Sequence, residues 1–142
     1  MTSSHVQGVL DLTFLEISEE ADVERGLSER LPLMTSPSPT KSKKSEEIKA
    51  IRLANNAIEN IEILSVLSRH FDCSTVAWID LSFNTISKID EGFGALFPNL
   101  TTIYLHANQI SRLSEIRKLS IFANLKSVSL YGNPVQRQDE VS

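Results

Sequence analysis

The feature that most constrains this chain is an apolar frame that is repeated around four asparagines. Aliphatic residues lie eight, five and three positions before each asparagine and two positions after it, without exception. Successive asparagines are 28, 24 and 25 residues apart. A unit of this length cannot bury its own apolar side chains, so such units fold by stacking on their neighbours. The asparagines are Asn56, Asn84, Asn108 and Asn133.

The frame is the leucine-rich repeat pattern, LxxLxLxxNxL. It predicts an α/β right-handed solenoid of about four repeats, with a parallel concave sheet and short convex helices. We expect the repeat domain at residues 48–142, an N-terminal extended arm or cap at 1–34, and a Ser/Pro/Lys linker at 35–47. The convex helices are predicted at 63–70, 90–97 and 114–121.

The arm has two predicted elements. Alternation of Leu10, Leu12 and Phe14 predicts a short strand that covers the first repeat and turns these three side chains to one face. Ser18 is predicted to cap a short acidic helix that stops near Gly26.

Each asparagine stands where the chain leaves its strand. A buried amide side chain has two donor hydrogens and one acceptor oxygen, so it satisfies turn backbone groups that lack sheet partners. An ionised aspartate is unable to donate a hydrogen bond, and a leucine side chain neither donates nor accepts one. The four asparagines are therefore expected to form a structural ladder.

Composition limits the partners and the compartment. The net charge is -4, the repeats are neutral, and the excess acid lies in residues 1–47, which argues against nucleic-acid binding. Cys73 is the single cysteine, so no intrachain disulfide forms, which suits a reducing compartment. There is no long apolar run and no signal-peptide pattern, so we expect a soluble, cytoplasmic chain without a membrane partner.

Side chains between the frame positions of the strands are expected to face outward on the concave sheet. By position this candidate partner-binding surface includes Arg52, Trp78, Asp80, Tyr104, His106 and Tyr131. Trp, Tyr and Arg dominate interface energetics. The alternative is that the aromatic rings only pack on each other and that Arg52 and Asp80 form a surface ion pair of little energetic value.

No catalytic or metal site is predicted. His106 lies beside Tyr131, but no paired carboxylate or nucleophile converges on it in the sequence. His70 and Cys73 lack further ligands at metal-binding spacing. We expect a protein that is not an enzyme and that uses no cofactor, metal or small-molecule substrate.

The residues between the frame positions carry a family resemblance. They include Trp78, Asp80, Asp90, the run Tyr104-Leu105-His106 and the run Tyr131-Gly132-Asn133-Pro134. With them the chain resembles the leucine-rich repeat-containing protein 51 family. The resemblance implies a cytoskeletal protein of the ciliary or flagellar axoneme, with axonemal proteins or tubulin of doublet microtubules as partners. The alternative function is that of a regulatory subunit of an enzyme such as a protein phosphatase.

Two further expectations concern the C-terminal end and the linker. The family continues past Gly-Asn-Pro into a capping segment, so we expect no full cap here and an open apolar end that another protein covers. Its residues are Leu125, Val128, Leu130 and Val135. In the linker, Ser36 and Ser38 precede prolines and are candidate phosphorylation sites.

Overall fold

The computed structural model describes residues 8–34 and 47–136. Five parallel strands form one sheet, in which the strands lie side by side in chain order. This arrangement confirms the predicted leucine-rich repeat fold. The strands are β1 (Val9–Asp11), β2 (Ala50–Arg52), β3 (Trp78–Asp80), β4 (Thr102–Tyr104) and β5 (Ser127–Ser129).

The register follows the apolar frame. The central residue of each strand pairs with the central residue of the next, so Ile51 lies opposite Ile79 and Ile79 opposite Ile103. These three isoleucines are fully buried. Burying an aliphatic side chain of this size contributes roughly 1.5–3 kcal/mol before chain entropy is counted. The core is therefore a row of stacked layers, each closed by the repeats on either side.

The asparagine side chains join each repeat to the one before it. Asn84 accepts a hydrogen bond from the Ile58 amide at 3.0 Å and donates to the carbonyls of Leu53 and Leu81 at 3.0 and 3.1 Å. Asn108 and Asn133 repeat this arrangement one and two turns further on. The predicted structural ladder is confirmed.

A left-handed residue precedes each of these turns. The backbone φ lies between 56° and 76° one position before every ladder asparagine and before Leu15, which takes the equivalent position in the arm. Side chains with a Cβ are strained there, by roughly 1–2 kcal/mol. The residues are Phe14, Asn55, Phe83, Ala107 and Gly132.

The arm is built into the sheet as a further turn of the solenoid. β1 pairs in parallel with β2, which confirms the predicted covering strand. Asn56 accepts hydrogen bonds from the amides of Leu15 and Ile17 and donates to the Leu12 carbonyl, so the first rung of the ladder holds the arm. The prediction for Phe14 is wrong. Its φ of 56° ends the alternation, and its side chain is 74% exposed.

The arm helix is longer than predicted. α1 spans Glu20–Arg30, and its N-cap is Glu19 rather than Ser18. Asp22 accepts hydrogen bonds from the amides of both residues, which closes a capping box one position later. Gly26 does not stop the helix. A Cβ there would stand 3.0 Å from a Leu15 methyl, so this glycine permits close packing of α1 on the arm.

The convex segments contain short helices near the predicted positions. They are a 3-10 helix at Ile61–Arg69, α2 at Phe93–Leu96, and α3 at Leu113–Arg117 followed by a 3-10 helix at Lys118–Ile121. α2 is shorter than predicted because Asp90 accepts from the amides of Gly92 and Phe93 and forms a turn before the helix. The predicted linker lies outside the described residues except for residue 47, and the domain boundaries stay predictions.

Candidate protein-binding surface

The concave face presents the side chains that alternate with the buried isoleucines. Arg52 is exposed on β2, and Trp78 and Asp80 are half-buried on β3. Tyr104 is 38% exposed at the end of β4. The register places Asp80 between Arg52 and Tyr104. The remaining two predicted residues, His106 and Tyr131, follow in the turns after β4 and β5.

Aromatic rings form a continuous row across this face. Trp78 lies 6.2 Å from Tyr104, Tyr104 lies 6.2 Å from His106, and His106 stacks on Tyr131 at 4.5 Å, all between ring centroids. The rings therefore do pack on each other, as one interpretation of the sequence expected. They nevertheless keep accessible surface, since Tyr131 is 59% exposed. We call Trp78, Tyr104, His106 and Tyr131 the aromatic row.

Phe83 extends the row at the edge of the sheet. Its ring meets His106 edge-on at 5.6 Å, and 54% of its surface is exposed. Its strained φ of 57° directs the side chain out of the turn. The sequence signal is its position directly before a ladder asparagine. The residue at that position has a left-handed backbone in every repeat.

His106 is held in place by its neighbours. Its Nδ1 lies 2.7 Å from the Ser129 hydroxyl, and the rings of Phe83, Tyr104 and Tyr131 surround the imidazole. A hydroxyl and three aromatic rings supply stacking and hydrogen bonding. No carboxylate is among the contacts that the structure describes for this imidazole.

Charged residues flank the aromatic row on the side of the arm. The Arg52 guanidinium lies 4.0 Å from the Asp11 carboxylate of β1, while Asp80 accepts hydrogen bonds from the amide and hydroxyl of Ser82. The sequence pattern suggested Asp80 as the ion-pair partner of Arg52. It did not indicate Asp11, because β1 lies some forty residues before β2 in the chain. Exposed pairs of this kind contribute about 0.2–1 kcal/mol.

The Asp11 carboxyl shows how the arm is tied to this face. Burial raises its pKa, but hydrogen bonds from the Thr13 hydroxyl and amide and the positive charges of Arg52 and Arg30 outweigh burial, so the pKa lies below its ordinary value. Arg30 of α1 also donates to the Asp11 carbonyl at 2.7 Å. The arm thus contributes a negative charge to the concave surface.

The four residues predicted to form an open apolar end differ in exposure. Val128 is 37% exposed, whereas Leu125 and Leu130 are half-buried. Val135 is only 3% exposed, and its amide donates to the Ile110 carbonyl at 2.9 Å. The prediction of an exposed Val135 is wrong, because the turn after Asn133 folds this side chain under the last layer of the core.

Other candidate chemistry is sparse in the described ranges. Burial, and then the charge of Asp72, raise the pKa of the Cys73 thiol to about 12, so this sulfur is a poor nucleophile. Within residues 8–34 and 47–136, no three His, Cys, Asp or Glu side chains gather as a metal site would need. None of the helices in this part of the chain has the length and apolar character of a membrane span.

Comparison with known proteins agrees with the geometry. A family model described as leucine-rich repeat matches residues 22–141. Leucine-rich repeat-containing protein 51 of Rattus norvegicus is 37% identical over 106 residues, which cover 70% of this chain and 54% of that protein. The chain thus spans about half the length of this relative. The Bos taurus protein of the same name is 34% identical over 144 residues, covering 97% of this chain and 71% of its own.

More distant similarities point the same way on fold. The human tubulin-specific chaperone cofactor E-like protein is 30% identical over 91 residues, covering 62% of this chain and 21% of that protein. A chain of the Drosophila melanogaster SNF/U2A' complex has a TM-score of 0.64 at 23% identity, covering 91% of this chain and 60% of its own. The latter shows the fold alone. The chain belongs to the leucine-rich repeat proteins and, among them, to the leucine-rich repeat-containing protein 51 family.

Proposed function

We propose that this protein is a non-catalytic protein–protein interaction scaffold that binds its partner through the aromatic row. The observation that carries the proposal is four adjoining rings that are held on a parallel sheet and still reach solvent. Buried aromatic anchors dominate interface free energies, and a surface that is already packed loses little side-chain entropy on binding. Arg52 and Asp80 lie beside the row and supply polar contacts at its edge.

The proposed setting is the axoneme of a cilium or flagellum, where the protein associates with doublet microtubules in the cytoskeleton. Two considerations support it. The family resemblance implies such a setting, and one of the chain's relatives is named as a tubulin-specific chaperone cofactor E-like protein. The partner is then tubulin or another axonemal protein, bound without nucleic acid, membrane or small-molecule ligand.

The test is to express the tagged protein in a flagellated cell and to extract the axonemes with detergent and then with salt. A structural component stays with the microtubules through both steps. Lys49 and Lys126 directly precede β2 and β5. Crosslinks from these two lysines are then expected to reach tubulin or an axonemal protein. Release of the protein by detergent or salt, with no such crosslinks, would contradict the axonemal proposal.

The same experiment tests the alternative function. A regulatory subunit of a phosphatase washes out with the soluble fraction and co-purifies with its enzyme. Copurification of stoichiometric phosphatase, lost on substitution of the aromatic row, would replace the axonemal proposal while leaving the binding surface in place.

A further inference from the structure

A second candidate site lies on the convex side, away from the concave sheet. The 3-10 helix Ile61–Arg69 and α2 leave a groove of about 320 Å³ between them. Its floor is formed by Ile61 and Phe93, which are almost fully buried, and Leu96 forms a half-buried wall. The groove is large enough for an apolar side chain, which would meet the exposed Ala95 and the half-buried Leu96 over this floor.

Two carboxylates stand at the mouth of this groove. They belong to Glu62 and Asp90, and the described residues that line the groove include no lysine, arginine or histidine. Glu62 accepts a long hydrogen bond of 3.4 Å from Asn60, and Asp90 accepts one of 3.1 Å from the Gly92 amide. A carboxylate has about four acceptor positions. Both groups therefore retain the capacity to bind a further donor.

The backbone keeps the Asp90 carboxylate where it is. Gly92 lies directly over it, and a Cβ at that position would stand 3.1 Å from Asp90 Oδ2. Asn60 caps the facing helix by accepting a hydrogen bond from the Glu62 amide at 2.9 Å, and it donates to the Glu62 carboxylate at 3.4 Å. The two carboxylates are thus placed by the local fold of two different repeats.

We propose that this groove binds a segment of a partner protein in which an apolar side chain lies next to a lysine or arginine. The apolar side chain packs on the accessible surface of Ala95 and Leu96 above the buried floor of the groove. The cation faces Glu62 and Asp90. Charge complementarity selects this partner, because an acidic or neutral segment would leave both carboxylates without a counter-charge at a partly desolvated mouth. The site is separate from the aromatic row, so a chain that binds a partner through that row, as proposed above, is able to hold this second segment at the same time.

The test uses the full chain, labelled for amide and methyl NMR, and short capped peptides with one leucine and one arginine at varied separation. Control peptides carry glutamate or glutamine in place of the arginine. We expect saturable shifts of the Ile61 and Leu96 methyl signals with the arginine peptides and weakening as salt is raised. The glutamate peptides are expected to bind at least about tenfold more weakly, since they lose two attractions and gain two repulsions.

Matched variants separate the groove from general electrostatics. Glu62→Gln with Asp90→Asn keeps size and hydrogen-bond acceptors, and we expect affinity for the arginine peptides to fall about two- to fivefold per carboxylate. Glu59→Gln with Glu91→Gln changes the net charge equally at exposed positions outside the lining, and little loss is expected. Ala95→Trp fills the groove and should abolish binding while the amide signals of the sheet stay in place.

Several outcomes overturn the proposal. They are no saturable binding of any arginine peptide at millimolar concentration, equal binding of arginine and glutamate peptides, or equal losses for the two charge variants. Shifts confined to Trp78 and Tyr131 would move the binding to the concave face. Shifts of the groove signals with protein concentration alone would identify a second copy of the chain as the occupant instead.

Discussion

The imidazole of His106 stacks on the ring of Tyr131, with the centroids 4.5 Å apart and the ring planes 8° from parallel. The two residues are 25 positions apart in the chain and come together because each stands at the same place in its own repeat. The stack joins the last two turns of the sheet on the concave side. It also places the most exposed ring of the aromatic row, Tyr131, in a defined orientation.

This relationship leads to a prediction about partner binding. Tyr131→Ala and Trp78→Ala should each weaken binding of the partner found by crosslinking at least about fivefold, since truncation of an anchoring aromatic costs more than 1 kcal/mol. Leu33→Ala is a control, because Leu33 is 70% exposed in the 3-10 helix Leu31–Met34 of the arm. Titration calorimetry measures the effect. Equal affinities for all three variants would place the interface elsewhere.

An aspartate should destabilise the fold much more at a ladder position than at an exposed asparagine outside the ladder. Asn108 is 1% exposed and donates to the carbonyls of Leu81 and Leu105, so Asn108→Asp removes both donations and places a carboxyl group against two carbonyls. We expect the free energy of unfolding to fall by about 3 kcal/mol or more. Asn124→Asp loses one exposed hydrogen bond, to Pro98, and should cost no more than about 1 kcal/mol. Urea denaturation compares the two, and similar losses would show that the ladder bonds contribute little.

Gly92, the N-cap of α2, and Gly94, which lies within α2, should respond differently to alanine. A Cβ at Gly94 would lie 2.8 Å from Ile121 Cγ1 and 2.9 Å from its carbonyl oxygen, so Gly94→Ala should lower the free energy of unfolding by about 1–3 kcal/mol. Gly92 is exposed and has an ordinary φ of -71°. A Cβ at Gly92 would meet one atom closely, Asp90 Oδ2 at 3.1 Å at the end of a side chain, so Gly92→Ala is expected to cost less than Gly94→Ala, within about 0.5 kcal/mol of zero. Thermal unfolding of both variants checks this, and a tolerated Gly94→Ala would contradict the close contact with Ile121.

A glycine in place of the left-handed residue Ala107 should stabilise the fold. Ala107 has a φ of 59°, a conformation that costs a residue with a Cβ roughly 1–2 kcal/mol. Ala107→Gly relieves that strain, and after the greater chain entropy of glycine a net gain of about 0.5–1 kcal/mol is expected. Ala95→Gly, within α2, should instead lose about 1 kcal/mol. Opposite signs in chemical denaturation support the strain argument, and a loss at both positions rejects it.

The stability of the fold should depend on pH through the Glu115 carboxyl group. Burial raises its pKa, but the hydrogen bond from the Ile89 amide and the ammonium groups of Lys118 and Lys88 lower it more, so the pKa lies below its ordinary value of 4.5. Because the carboxyl group has a lower pKa in the folded chain than in the unfolded chain, its ionised form stabilises the fold above pH 4.5. This stabilisation is lost as the pH falls through the pKa of the folded chain.

Glu115→Gln removes that contribution. At neutral pH the variant should be less stable by about 1 kcal/mol, because a neutral acceptor replaces a charged one. The difference between the two proteins should shrink as the pH drops below 4.5. Urea denaturation across the acid range measures it. A difference that is constant with pH would mean that Glu115 acts by its shape alone.

Much of the fold could be predicted from the sequence because the frame positions obey local rules. An aliphatic residue at alternate strand positions is buried by the pleat itself, and an asparagine at the turn satisfies backbone groups of its own repeat and of the preceding one, which carries the same pattern. The sheet, its register and the lateral order of Arg52, Asp80 and Tyr104 follow from counting along the chain. The predicted end of the arm helix failed at Gly26, because whether a glycine ends a helix or admits a neighbour depends on what packs against it.

The sequence by itself determined the repeat, the register and which side chains lie on the concave face, because each depends on a period that is encoded within one repeat. Tertiary structure decided that Arg52 pairs with Asp11, that Phe83 joins the row of rings, and that Val135 is buried. It also placed Glu62 and Asp90 at one groove. These relationships join different repeats, and their distances depend on how the layers stack, which no single repeat contains.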